Sequence, residues 1–125
     1  MERKEYPQLG ETLWHEVLPN GLPVYVLTRP ESSQQFTCFA VRCGGASVCI
    51  PDDRGGWEDL PAGTAHYLEH KMFDTERGSA SDRFGESGAA DNAFTSETMT
   101  AYYFTGTRDF ERNLRILLEM VSVPW

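Results

Sequence analysis

Positive charge is in short supply in this chain: 11 Lys and Arg residues face 19 Asp and Glu, leaving a net charge of −8. A phosphate backbone calls for a basic face, so no nucleic-acid partner is expected. Long apolar runs are also missing. No stretch approaches the roughly 20 residues that span a bilayer, and the opening Met-Glu-Arg-Lys-Glu-Tyr lacks the apolar centre of a signal peptide. No membrane partner is therefore expected, and the cytoplasm is the default location. Cysteine is limited to Cys38, Cys43 and Cys49, an odd number without C-x-x-C spacing or a secretory context. Reduced thiols are expected there, not disulfides or metal ligands. Repeats, linkers and low-complexity tracts are absent as well. What is left, 40% hydrophobic and 24% charged over 125 residues, suits a single globular domain. Its acidic surface would favour basic or extended peptides, although a solvated negative face is the simpler account.

Histidine is scarce too, with three in the chain, yet two of them fall in His66-Tyr67-Leu68-Glu69-His70. On a helix, positions i and i+4 lie one above the other on the same face. Both imidazoles can then reach one Zn²⁺ ion at about 2.0–2.1 Å, with Glu69 flanking the same site. This is the H-x-x-E-H order of the inverted zinc peptidases, in which the glutamate is placed as general base for the attacking water. The plain alternative is a helix whose histidines and glutamate share a face by accident. The third histidine, His15, lies on an otherwise apolar face of a strand. It reads as a core or rim residue, since no spacing ties it to the helix.

Around this motif the chain alternates strand and helix signals. Thr12–Leu18 and Leu22–Thr28 flank Asn20-Gly21, a hairpin signal because both residues tolerate positive φ. Gln35–Arg42 is apolar on both sides and is predicted to be a central strand, broken by Gly44-Gly45. The stretch from Pro51 to Pro61 reads as a surface loop. Its Asp52-Asp53-Arg54-Gly55-Gly56 lacks the alternating ligands of an EF-hand. The motif helix is expected from Gly63-Thr64, with Thr64 as N-cap, to about Phe73. Leu68 and Met72 form an apolar pair beside the metal-facing stripe. Ser79-Ala80-Ser81-Asp82 resembles a capping signal for a short helix closed by Gly88. Asn92–Thr95 and Thr98–Thr105 read as strands. Arg108–Val121 reads as an amphipathic helix with Phe110, Leu114, Leu117, Leu118 and Val121 on its apolar stripe, stopped by Val123-Pro124.

A family resemblance follows from these residues. The run Gly63-Thr64-Ala65-His66-Tyr67-Leu68-Glu69-His70-Lys71-Met72-Phe73 resembles the active-site helix of the pitrilysin/insulinase (M16) zinc peptidases. Gly88-Ala89-Ala90-Asp91-Asn92-Ala93-Phe94-Thr95-Ser96 resembles that family's next landmark, an edge strand beside the zinc. Leu18-Pro19-Asn20-Gly21-Leu22, Tyr102-Tyr103-Phe104 and the helix from Phe110 continue the match over nearly the whole chain. In detail the sequence is similar to the bacterial processing-protease-like branch. The resemblance implies an α+β fold, an antiparallel-rich mixed sheet packed by helices, as the N-terminal part of an M16-type (LuxS/MPP-like) domain. It also implies Zn²⁺ as cofactor, His66 and His70 as metal ligands, and Glu69 as the catalytic base. Asn92, Ala93 and Phe94 would form the strand whose backbone pairs with an extended peptide or small protein substrate.

The resemblance further implies a third ligand, a glutamate well downstream of the second histidine on a following helix. Residues 71–125 are expected to stop short of it, and Glu97, Glu111 and Glu119 carry no signal that nominates them. The family's second, homologous half is missing as well. The expectation is therefore a zinc metalloendopeptidase segment, residues 1–125 of a longer domain, weakly active or inactive alone and completed by a C-terminal half or a homologous subunit. The competing expectation is a non-catalytic peptide-binding or assembly module that pairs with such a subunit.

Overall fold

Asn20-Gly21 does build the first hairpin, but only the glycine uses the left-handed region, with φ of 86°. In the computed structural model, which describes residues 1–123 and 125, the amide of Gly21 donates to the Leu18 carbonyl at 2.8 Å and that of Leu18 donates to Leu22 at 2.9 Å. Pro19 and Asn20 thus make the turn and Gly21 the left-handed bulge that restores strand pairing. The hairpin joins β2 (Glu11–Val17) to β3 (Pro23–Thr28). A strand that the sequence did not announce, β1 (Glu2–Tyr6), pairs antiparallel with β2 to complete a sheet of order β1-β2-β3. Its Glu-Arg-Lys-Glu run has no apolar alternation. Arg3 nonetheless lies over the Trp14 ring at 5.3 Å, so its charge finds a π face on the neighbouring strand. This sheet forms one compact unit, Met1–Ser33.

The second unit, Gln34–Trp125, carries the motif. It runs β4 (Gln35–Val41), β5 (Cys49–Pro51), β6 (Trp57–Asp59), α1 (Thr64–Lys71), β7 (Asp74–Thr75), β8 (Gly78–Ser79), α2 (Ala80–Gly85), β9 (Ala90–Thr95), β10 (Thr100–Gly106) and α3 (Phe110–Ser122). The architecture is α+β, and every strand pairing among the described residues is antiparallel. Its main sheet has the order β4-β10-β9. The central position belongs to β10, not to β4 as its two apolar faces suggested. Ala101, Tyr102 and Phe104 of β10 are all buried, whereas Phe36 of β4 is 63% exposed. Apolar residues on both sides of a strand therefore do not by themselves make it central.

The helices pack on one face of this sheet. Phe84 of α2 stacks on Phe104 of β10 with ring centroids 5.5 Å apart, and Ile116, Leu117 and Met120 of α3 close the core. The buried stripe of α3 is Asn113, Ile116, Leu117 and Met120, so the helix is rolled away from the expected face. Leu118 and Phe110 are left partly exposed. The buried face also takes in Asn113, a polar residue outside the expected stripe. It is fully buried because the Ser87 hydroxyl donates to its Oδ1 at 2.7 Å and its Nδ2 donates to the Arg108 carbonyl at 3.2 Å. Pro124, the expected helix stop, lies outside the described residues.

Two further expectations change. The stretch from Pro51 to Pro61 contains a small hairpin, β5 with β6. Asp52 Oδ1 accepts the amides of Arg54 at 2.8 Å and Gly56 at 2.7 Å, which closes the turn with backbone donors in place of a cation. Gly63, not Thr64, is the N-cap of α1; the Thr64 hydroxyl instead donates back to the Pro61 carbonyl at 2.6 Å.

On the outer side, α2 and α3 are tied by Glu119, which accepts from Arg83 at 2.9 Å and lies 3.6 Å from Arg77. The Arg83 hydrogen bond is the main cause holding the Glu119 carboxyl below its ordinary value of 4.5; burial opposes it, and the Arg83 and Arg77 charges assist. A depressed carboxylate pKa contributes stability that is present above the unfolded-state value and lost as pH falls through the folded one. The stability lost in Glu119→Gln is accordingly expected to be largest at neutral pH and to shrink in acid below the ordinary carboxylate range. Urea unfolding of both proteins across that range checks this, and a pH-independent difference contradicts it.

Candidate metal centre

Helix α1 is started by a residue that must be glycine-like. Gly63 sits at φ 86°, and its carbonyl accepts the amide of Tyr67 at 2.9 Å as the first helical bond. From there the 3.6-residue period sorts the motif into two directions. Ala65 and Glu69 are buried, while His66, Tyr67, Leu68 and His70 face outward. Lys71 ends the last turn, where its positive charge complements the helix dipole.

The two histidines meet as the spacing predicts. His66 Nε2 and His70 Nε2 stand 3.2 Å apart, with the rings edge to face. Two nitrogens at that separation, each about 2.0–2.1 Å from a shared ion, would subtend about 100° at the metal, near the tetrahedral preference of zinc. Neutral imidazoles can aim two lone pairs at one point in this way, and the donor set therefore fits zinc. Glu69 completes a trio whose ligating atoms all lie within 4.8 Å of one another, the only such group of three among the described residues.

Glu69 is 7% exposed, and a carboxylate so placed needs a donor. The Thr95 hydroxyl supplies it, at 2.5 Å from Oε2. His66 Nδ1 lies 3.5 Å from the same oxygen. Beneath them, Tyr102 is buried. Burial, then the Glu69 charge and then Cys43, raise its phenol above the ordinary value of 10.0. Neither Thr95 nor Tyr102 was singled out in the sequence as a site residue. Each sits in a strand whose alternation shows which face it occupies, but only the packed helix shows what it meets there.

Asn92, Ala93 and Phe94 lie on β9, the strand next to α1, and β9 is an edge strand among the described residues. Asn92 and Phe94 point to the open face and Ala93 toward the helices. His15 is elsewhere in use: it stacks on Tyr25 at 4.5 Å, with Nδ1 3.7 Å from Glu2. Glu111 pairs with Arg115 at 2.8 Å and Glu119 with the two arginines of α2 and its approach, so neither joins the trio. Glu97 lies in the turn between β9 and β10. The sites named from sequence thus divide cleanly: the motif residues converge and the spare carboxylates do not.

The turn after Thr95 is held from outside by the segment that follows β4. The amides of Gly45 and Ala46 donate to the carbonyls of Ser96 and Glu97 at 2.8 and 2.9 Å, and the Thr100 hydroxyl donates to the Cys43 carbonyl at 2.7 Å. Gly44 makes this approach possible, since a Cβ there would sit 2.6 Å from Glu97 C and Met99 N and collide with the Ser96 carbonyl. Its role is therefore a close crossing of two backbones, not merely the end of a strand. Gly44→Ala is expected to cost about 1–3 kcal/mol, as overpacking does, and to speed amide exchange at Gly45 and Ala46. Denaturant unfolding with hydrogen exchange measures both, and an unchanged midpoint would show that the turn yields freely.

With the geometry described, its likeness to known proteins is informative. The family model "Insulinase (Peptidase family M16)" matches residues 53–124. An uncharacterised zinc protease, YmfH, of Bacillus subtilis (strain 168) is 41% identical over 122 residues, covering 97% of this chain and 28% of that protein. The mouse mitochondrial-processing peptidase subunit beta is 34% identical over 119 residues, covering 80% of this chain and 23% of that protein. A crystal structure described as an M16-like peptidase from Alicyclobacillus acidocaldarius superposes with a TM-score of 0.88 at 34% identity, covering 98% of this chain and 28% of that one. The chain thus spans between a fifth and a third of the length of these relatives. Since the family model covers more than half of the chain and YmfH is 41% identical over 97% of it, the chain belongs to peptidase family M16, the insulinase family.

Proposed function

We propose that this chain carries the zinc-binding helix, the general base and the substrate strand of a metalloendopeptidase. The observation that carries the reading is the convergence of His66 Nε2 and His70 Nε2 at 3.2 Å beside a buried, hydrogen-bonded Glu69. In this reading His66 and His70 hold the metal. When bound, zinc supplies Lewis acidity that polarises the peptide carbonyl and makes water a better nucleophile at neutral pH. Glu69 accepts the proton of the attacking water and delivers it to the departing amine, so that no free ion is released into a dry site.

The substrate is bound as an added strand along β9. Main-chain hydrogen bonds to Asn92–Phe94 would give affinity that tolerates many sequences, and the side-chain pockets beside them would set preference. A strand held by its backbone is extended, which exposes its carbonyls to the helix carrying the base.

The two histidines and Glu69 do not fill a four-coordinate shell, and no fourth His, Cys, Asp or Glu among the described residues joins them. We therefore place the third protein ligand, and the surface that closes over the peptide, in a further part of the parent protein or in a homologous subunit. The mouse relative is named as a subunit of a processing peptidase, which supports pairing of this kind. The chain by itself is then a weak zinc binder with little or no turnover. An assembly module without catalysis would not need the motif intact, and here all three residues are present and in register.

Metal analysis and peptide cleavage test the reading together. The parent protein is expected to hold one zinc per chain, to lose it in His66→Ala, and to keep it in Glu69→Gln. The latter is expected to reduce turnover about 10²- to 10⁴-fold, the range for loss of a general base. Zinc-free wild type, indistinguishable from His66→Ala, would favour the assembly module instead.

A further inference from the structure

We propose that Thr95 is the positioning residue of the base: its hydroxyl pins one oxygen of Glu69 and thereby ties the base to the strand that holds the substrate. The inference rests on the hydrolase reading above and assigns a role to a residue that this reading leaves idle. A glutamate side chain has three rotatable bonds, and the α1 backbone alone does not fix where its carboxylate points. Only one hydrogen bond does so among the described residues, from Thr95 Oγ1 to Oε2 at 2.5 Å. His66 Nδ1, at 3.5 Å from that oxygen, is too distant to replace it. Oε1 takes no hydrogen bond among the described residues and is left to accept the proton.

Thr95 is itself well held. It is β-branched and stiff at χ1, it ends β9, and it precedes the turn clamped by Gly45 and Ala46. The main-chain link from Phe94 to Thr95 is short and rigid, so the hydroxyl sets the distance between a peptide lying along Asn92–Phe94 and the base. A misplacement of about 1 Å at a reacting group can cost on the order of a hundredfold in rate. Thr95 touches neither water nor peptide in this scheme and acts wholly through Glu69.

Thr95→Val keeps the shape and removes the hydroxyl, whereas Thr95→Ser keeps the hydroxyl and removes the methyl. In the zinc-loaded parent protein, Thr95→Val is expected to lower kcat by about 10- to 100-fold with KM little changed and zinc content equal to wild type. Thr95→Ser is expected to recover most of kcat. Unchanged kcat in Thr95→Val would overturn the proposal. So would loss of zinc, which would make Thr95 a support of the ligands, or a loss carried by KM alone. Should the valine variant fail to fold, Thr95→Ala against Thr95→Ser makes the same comparison. Glu69→Gln measured alongside separates the two levels: full turnover there refutes the hydrolase reading itself, whatever Thr95 does.

Discussion

A carboxylate removed from water must be answered by a donor, and at Glu69 that donor comes from a different element of the fold. The Thr95–Glu69 hydrogen bond joins α1 to the end of β9 at the one place where the motif helix turns a charge inward. Much of the second unit can be understood as what holds those two ends in place. The α3 stripe and Phe84 press on Phe104 and fix β10. Pairing with β10 then fixes β9 in register, with Ala93 opposite Tyr102 and Thr95 opposite Thr100. The crossing at Gly44 closes the turn beyond Thr95. Loosening any of these leaves the carboxylate without its partner, an unanswered charge that costs far more than the bond itself contributes.

The motif divides its labour by helical period. Positions 66 and 70 face out and position 69 faces in, roughly 100° around the axis from position 70 and about 60° from position 66. The inverted order H-x-x-E-H therefore does more than collect three donors. Under the proposed function it sends both metal ligands to the open side, where substrate would arrive, and sends the base toward the sheet, where a strand can hold it. Tyr102, buried beneath Glu69, is a phenol neutral at neutral pH in any case, and burial and the nearby carboxylate move its ionisation further away. It adds no second negative charge under the site.

What the sequence disclosed follows from the kind of signal each feature leaves. The helix, its ligand spacing, the hairpin at Asn20-Gly21, the two strands near residues 92–105 and the final helix all rest on local periodicity or turn chemistry, and each is present. The features that escaped depend on distant partners. β1 exists because β2 offers it a ladder and a tryptophan face, not because its own residues favour a strand. Asn113 is buried because Ser87 and Arg108 satisfy it, partners that no periodicity within α3 discloses. β4 carries apolar residues on both sides yet lies at an edge, since neighbour order in a sheet is not written in one strand. Gly44 read as a strand breaker, and its close approach to the 96–99 backbone is a tertiary fact. Among the site residues, the metal-facing pair was visible and Thr95 was visible only as a strand residue.

One asymmetry in the site bears on how a complete enzyme would be arranged. The His66 side chain is 65% exposed, while the side chain of Glu69 beside it is 9% exposed. A hydrolytic centre gains most from its charges where water is excluded, because electrostatic interactions strengthen as the dielectric falls. Glu69, the proposed base, already occupies such an environment, supplied by the sheet and Tyr102. The ligands do not, and nothing among the described residues covers them. Under the proposed function the missing cover and the missing ligand are the same structural need: a segment that approaches from the open side of α1 can complete the shell and displace bulk water in one step. A peptide laid along β9 would be enclosed by that approach, beside the helix that carries His66, Glu69 and His70. Such an arrangement keeps the anchored half of the chemistry in this chain and leaves closure to the arriving half. In the proposed enzyme the base would thus be set by folding and the metal shell by assembly.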